Sequence, residues 1–144
     1  MPSDPLVARC YCGATRIKIA APAQAVTYCH CADCKRWTGS PLPAFAAFSA
    51  AALKSANIEG VLPEPVRVSK GVARRNCPSC GSPLTAEFDY LPGQIYVPLG
   101  VFEDATSLAP QGHAHAAAAL PWLCLEDGLP RHDGSARETL NKAT

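Results

Sequence analysis

The sequence predicts a mainly β domain of short antiparallel strands with few, short helices, on three observations. Fourteen prolines and ten glycines cut the 144 residues into short pieces, which leaves little room for long helices. Residues 14–20, ATRIKIA, alternate, with Thr15, Ile17 and Ile19 on one side and Arg16 and Lys18 on the other, the period of a half-buried strand. Several later runs of β-branched, aromatic and small apolar residues lie between prolines and glycines, as strands between turns do.

In chain order, the segments that follow residues 14–20 are 25–28 (AVTY), 44–48 (AFAAF), 66–68 (VRV), 84–88 (LTAEF) and 95–97 (IYV), each short enough to be one strand. Ser49 is placed to cap one or two helical turns ending at Lys54. Ser135-Ala-Arg-Glu138 has the spacing of a capping box, but so near the end of the chain it reads as a frayed tail. No repeat, low-complexity block or charged linker divides the chain, so residues 1–144 read as one domain. A domain of this size buries roughly 70% of its unfolded surface. Much of the 48% apolar content is alanine, however, and aromatics make up only 7%, so the expected core is thin.

Thirteen basic and twelve acidic side chains give a net charge of +1, which offers no bulk attraction to nucleic acid or to a membrane surface. A nucleic-acid binder is further disfavoured by the lack of a basic stripe or stacking aromatics. No run of about 18 apolar residues is available to span a bilayer, and MPSDPLVARC has no apolar stretch behind a basic start. The expectation is a cytoplasmic protein whose eight cysteines stay reduced and serve as metal thiolates rather than disulfides.

Seven of the eight cysteines are clustered, as Cys10-Tyr-Cys12-Gly13, Cys29-His-Cys31-Ala-Asp-Cys34 and Cys77-Pro-Ser-Cys80-Gly81. A C-x-C pair on extended chain puts both sulfurs on one face, and C-x-x-C followed by glycine is a tight turn that aims two sulfurs at one point. Gly13 and Gly81 are then the residues that let the chain bend around a metal with φ > 0. A structural zinc is closed by four protein ligands, whereas a reactive zinc has three and a free position, so seven thiols divide as four plus three. The two pairs Cys10/Cys12 and Cys77/Cys80 can close one site, leaving Cys29, Cys31 and Cys34, in one short loop, for the other. Spacing alone leaves other partitions open, including one metal shared by Cys10, Cys12, Cys29 and Cys31. It also leaves open a second structural zinc on the triad with His30 or a remote side chain as its fourth ligand. The spacing does not fit a ferredoxin cluster. A zinc clip would support a thin core: apparent binding free energies of about 10–16 kcal/mol in finger peptides match or exceed the roughly 5–15 kcal/mol of ordinary domain stability.

The ordered set C-x-C-G, C-H-C-x-x-C and C-x-x-C-G-S-P-L resembles the glutathione-dependent formaldehyde-activating enzyme family, also called the centromere protein V family. Lys35-Arg-Trp-Thr-Gly-Ser-Pro41, Gly60, Ser82-Pro-Leu84, His113, Pro121-Trp122 and Asp127-Gly-Leu-Pro130 extend the resemblance from Cys10 to about Pro130. It implies a tent-like β fold, a structural zinc on Cys10, Cys12, Cys77 and Cys80, and a catalytic zinc on Cys29, Cys31 and Cys34. It also implies addition of glutathione to formaldehyde, a carbon–sulfur lyase activity in the reverse sense. The chain departs from the family pattern at Asn76, where an aromatic is expected, and at alanines 116 to 119, where relatives look more polar.

Zn²⁺ with three thiolates carries a formal charge of about −1 and is a weak Lewis acid, so a three-cysteine site favours a thiol as fourth ligand over activation of water. The expected partners are therefore a small thiol such as glutathione and a small aldehyde. His30 and His113 are candidates to supply a proton. Lys35, Arg36, Arg74 and Arg75 are candidates to meet thiolate or substrate charge, or else lie on a solvated face. Trp37, Trp122, Tyr11 and Phe45 are expected mainly to pack, and isolated Cys124 to be a small buried hydrophobe. The competing reading is a zinc-stabilised, non-catalytic module that binds protein or chromatin.

Overall fold

A computed structural model describes residues 5–135. In order, the elements are β1 (Leu6–Arg9), β2 (Thr15–Ile19), β3 (Ala25–Cys29), α1 (Ala32–Thr38), β4 (Ala44–Ser49), α2 (Ala50–Lys54) and β5 (Asn57–Gly60). They continue with β6 (Val66–Ser69), β7 (Val72–Asn76), β8 (Pro83–Phe88), β9 (Gln94–Pro98) and β10 (His113–Ala114), with short 3-10 turns at Leu99–Val101 and Ala116–Ala118. The fold is mainly β, as expected. Among the described residues, no helix is long and apolar enough to cross a membrane.

Two sheets form. The smaller runs β1-β2-β5 and the larger β10-β3-β4-β9-β8-β7-β6. Thr15, Ile17 and Ile19 are buried on the inner face of β2, as their alternation requires. With Ala8, Ile17 and Ile19 pack against one face of the large sheet, made by Val26, Ala46, Phe48, Ile95 and Val97. This is the main core, and its alanines keep it thin. The other face of the large sheet carries the alternate residues of the same strands, among them Cys29, Phe45 and Tyr96. β4 is therefore buried on both sides, Phe45 to one and Phe48 to the other. Ser49 caps α2, accepting from the N–H of Ala52 at 3.2 Å.

Two expectations are corrected. The large sheet is not wholly antiparallel, because β10 pairs in parallel with β3, His113 opposite Tyr28 and Ala114 opposite Cys29. The chain reaches that edge only after a long connection from β9, which can deliver a parallel strand where a tight turn cannot. The segment after Cys31 is also a helix rather than a loop: the Cys31 sulfur accepts the Cys34 N–H at 3.3 Å, and Gly39 in the left-handed region ends the helix. Of the capping-box segment 135–138, all but Ser135 lies outside the described residues.

Candidate metal centres and the cavity beside them

The four-plus-three division is met in space. The ligand atoms of Cys10, Cys12, Cys77 and Cys80 all lie within 4.8 Å of one another, and so do those of Cys29, Cys31 and Cys34. Among the described residues, no other His, Cys, Asp or Glu joins either group. The partition that would mix Cys10 and Cys12 with Cys29 and Cys31 is not what the chain adopts.

The four-cysteine group is built from two tight turns. The Gly13 N–H donates to the Cys10 carbonyl at 3.1 Å and the Gly81 N–H to the Cys77 carbonyl at 2.8 Å. Both glycines have positive φ, 81° and 80°, as the bends demand. The sulfurs of Cys10 and Cys12 stand 3.6 Å apart and those of Cys12 and Cys77 3.7 Å. Tetrahedral zinc with Zn–S bonds of about 2.3 Å needs edges of about 3.8 Å. Soft sulfur donors at that spacing suit zinc. Burial opposes ionisation of Cys10, but the N–H of Thr15, 3.3 Å from its sulfur, and the neighbouring thiols outweigh it and lower its pKa. Cys80 is drawn down to about 5 by the hydroxyl and N–H of Ser82. The cluster thus ties the end of β1 to the turn between β7 and β8, one sheet to the other.

The three-cysteine group sits where β3 gives way to α1. Cys29 ends the strand, Cys31 caps the helix and Cys34 lies in its first turn. Cys29 is 3.4 Å from Cys31 and 3.2 Å from Cys34, sulfur to sulfur. The Cys29 thiol faces both other sulfurs, and the Cys34 N–H donates to Cys31. Interaction with the two neighbouring thiols lowers the Cys31 pKa to about 2, while Cys29 is pushed up to about 12 and Cys34 is also raised. Ionisation therefore falls first on Cys31, and the crowding of the sulfurs opposes ionising the other two unless a cation joins them. Cys29 and Cys34 are buried, and Cys31 is half-buried.

All three sulfur-bearing residues line a cavity of about 180 Å³ on the face of the large sheet opposite the core. Phe45, Val72, Phe88 and Leu91 are among its walls, and His115 and Asp33 are its charged or titratable side chains besides cysteine and tyrosine. His115 was not singled out in the sequence. It stands at the left-handed φ of 52°, directly after the two-residue strand β10, and only that pairing brings it to the triad.

His30 and His113, two candidate proton donors in the sequence, do not line this cavity. The carboxylate of Asp127 is an acceptor only, so it takes the Nε2–H of His113 at 2.8 Å. His113 Nδ1 then accepts from His30 Nε2 at 2.8 Å. His30 Nδ1 is left buried and without a partner among the described residues. Burial first, and then the electrostatic influence of the neighbouring His113, Lys35 and Arg131, lowers the pKa of His30. The Asp127 carboxyl is held below its usual range by the N–H of Leu129, by His113 and by Arg131.

The basic residues also lie elsewhere. Lys35 donates to the Ala118 carbonyl at 3.0 Å, Arg75 is bound by Pro63, Thr85 and Glu87, and Arg36 is exposed. Arg74 is buried, its guanidinium 4.6 Å above the Trp37 ring. Trp37 stacks on Phe45 at 6.1 Å behind the cavity, and its indole N–H donates to Asn76 Oδ1 at 2.9 Å. Trp122, Tyr11 and Cys124 do not pack as expected: all three are exposed. Residues 119–130 run over the surface without regular structure, so an apolar sequence there buries little.

A solved structure of a Rhodobacter sphaeroides protein, a structural-genomics target, shares the fold at a TM-score of 0.51 and 16% identity, over 88% of this chain and 99% of that one. No curated protein matches the chain. A family model described as glutathione-dependent formaldehyde-activating enzyme matches residues 5–118, which takes in β1, both cysteine groups and the cavity up to His115. The chain belongs to the family of glutathione-dependent formaldehyde-activating enzymes.

Proposed function

We propose that the protein is a zinc-dependent enzyme of the carbon–sulfur lyase type. It would join a thiol such as glutathione to a small aldehyde such as formaldehyde, or cleave the adduct. The supporting observation is the triad of Cys29, Cys31 and Cys34, three converging sulfurs beside a cavity with no fourth donor among the described residues. On this reading the four-cysteine group holds a structural zinc and the triad a reactive one. Zinc bound at the triad would supply a position at which a thiol ligates as thiolate.

The chain's own residues supply the rest. Strand β3 and helix α1 fix the three sulfurs, so the incoming thiol meets one direction of approach. The cavity walls exclude water and hold the aldehyde against the sulfur, so that the reaction loses its cost of encounter. Sulfur bonds to the carbonyl carbon, the C=O π pair moves to oxygen, and the proton released by the thiol ends on that oxygen. We assign the proton's delivery to His115, the histidine of the cavity wall. Cleavage runs the same steps backwards.

The test is exchange NMR of S-hydroxymethylglutathione formation by zinc-loaded protein against a protein-free blank, since the addition also proceeds unaided. Wild type is expected to exceed the blank, Cys31→Ser to match it, and His115→Ala to lose about 100-fold of the enhancement. Wild-type protein carrying two zinc ions per chain yet matching the blank would favour the non-catalytic binding module.

A further inference from the structure

We infer that the cavity beside the cysteine triad is shaped for an uncharged apolar group of about benzene size, carried by the aldehyde or by the thiol. This rests on the proposed thiol–aldehyde chemistry and names its substrate class. An apolar cavity of about 150 Å³ takes up benzene. The present one is about 180 Å³, so formaldehyde, with two heavy atoms, would leave most of it unfilled.

The space arises from the strand register. Ala25 of β3 and Ala47 of β4 are paired across the sheet, and both line the cavity. Two methyl groups stand side by side where larger residues would close the face. Around that floor Phe45, Val72, Phe88 and Leu91 form apolar walls. Tyr96 sits opposite Ala47 and turns its hydroxyl to Gln94 Oε1, to which it donates at 2.7 Å.

Charge points the same way. Among the described residues no lysine or arginine lines the cavity, whose charged or titratable side chains besides cysteine and tyrosine are His115 and the exposed Asp33, so a carboxylate inside would meet no permanently charged cation. Arg74, the buried guanidinium nearby, lies over the Trp37 ring rather than in the wall. The charged ends of glutathione thus find no partner in this chamber. Its thiol can enter only with the rest of the peptide outside, which leaves the chamber itself to the aldehyde's substituent.

Two arms on the zinc-loaded protein separate the sources. In the thiol arm, calorimetry compares benzyl mercaptan with 2-mercaptoethanol. In the aldehyde arm, exchange NMR with glutathione compares benzaldehyde with formaldehyde, each against its blank. At least one arm is expected to favour the aromatic member tenfold or more, and that arm identifies which reactant carries the group. Ala25→Leu and Ala47→Leu, two independent ways of filling the floor, are expected to remove the preference in whichever variant folds. Equal values in both arms for wild type overturn the inference, as does a preference that survives in a folded, filled variant. An aromatic preference in binding with no turnover of any pair would leave the inference standing and overturn the proposed activity instead.

Discussion

Gly60 shows how a single residue fixes the join between strands. Its φ is +79°, and a Cβ built there would stand 1.9 Å from the carbonyl oxygen of Ala14. Both the conformation and the space exclude a side chain, and backbone cannot swing aside as a flexible side chain can. Gly60→Ala is therefore expected to cost about 2 kcal/mol or more, read as a shift in the denaturant midpoint of the zinc-loaded protein. An unchanged midpoint would show that β2 and β5 separate at little cost. Asn76 is a gentler case. It looked like a departure from its family's pattern, yet it accepts the Trp37 indole N–H at 2.9 Å and donates to the Gly81 carbonyl at 3.3 Å. It thereby couples the helix of the triad to the turn of the four-cysteine group. Asn76→Ala should cost about 1 kcal/mol and alter Trp37 fluorescence while two zinc ions remain bound. Loss of a zinc would mean that the bridge also holds a metal site.

Among the elements, legibility followed how much each owes to its own residues. Strand β2 was plain because Thr15, Ile17 and Ile19 alternate with Arg16 and Lys18 and their burial obeys that alternation. Strand β7, VARRN, was missed because two adjacent arginines argue for a surface, whereas Arg74 is accommodated in the interior by lying over Trp37. Strand β10 has only two residues and exists through its parallel pairing with β3, a tertiary fact that leaves no local pattern. His115 went unread for the same reason. The cysteine groups were legible because a tetrahedral site dictates spacing, although only the fold settled which pairs meet. Helix α1 was hidden in the triad, since a cysteine is not an expected cap. That cap supports a prediction: serine is a good N-cap, so Cys31→Ser keeps the helix while removing a ligand. Metal analysis should find two zinc ions per chain falling to one, with the far-ultraviolet dichroism of the wild type. Loss of the fold together with the metal would mean that the triad is a second structural clip.

For the molecule as a whole, the two cysteine groups stand in different relations to stability. The four-cysteine group joins the small sheet to the β7–β8 turn of the large one, and between them lies a core whose central positions include Ala8 and Ala46. The triad lies within one sheet and its following helix, on the far side from that core. Removing metal from the first should release the sheets from each other, and removing it from the second should not. Ligand number sets the order, for the triad offers a metal three sulfurs whereas the other group offers four. Stepwise chelation is therefore expected to take one zinc with the dichroism intact and the second together with cooperative unfolding. Acid should act in the same sense. A cysteine has a pKa of about 8.5 in the unfolded chain. Cys80 is held down to about 5 by Ser82, so what its thiolate contributes is present above the unfolded value and lost as pH falls towards 5. Cys12, pushed up to about 11, contributes in the opposite sense and loses it as pH rises. Because a bound metal needs every ligand as thiolate, metal release from the four-cysteine group and unfolding should coincide as pH falls. If instead both ions leave while the dichroism stays unchanged, the sheets hold together through apolar contact alone, and the clip is not what supports the thin core.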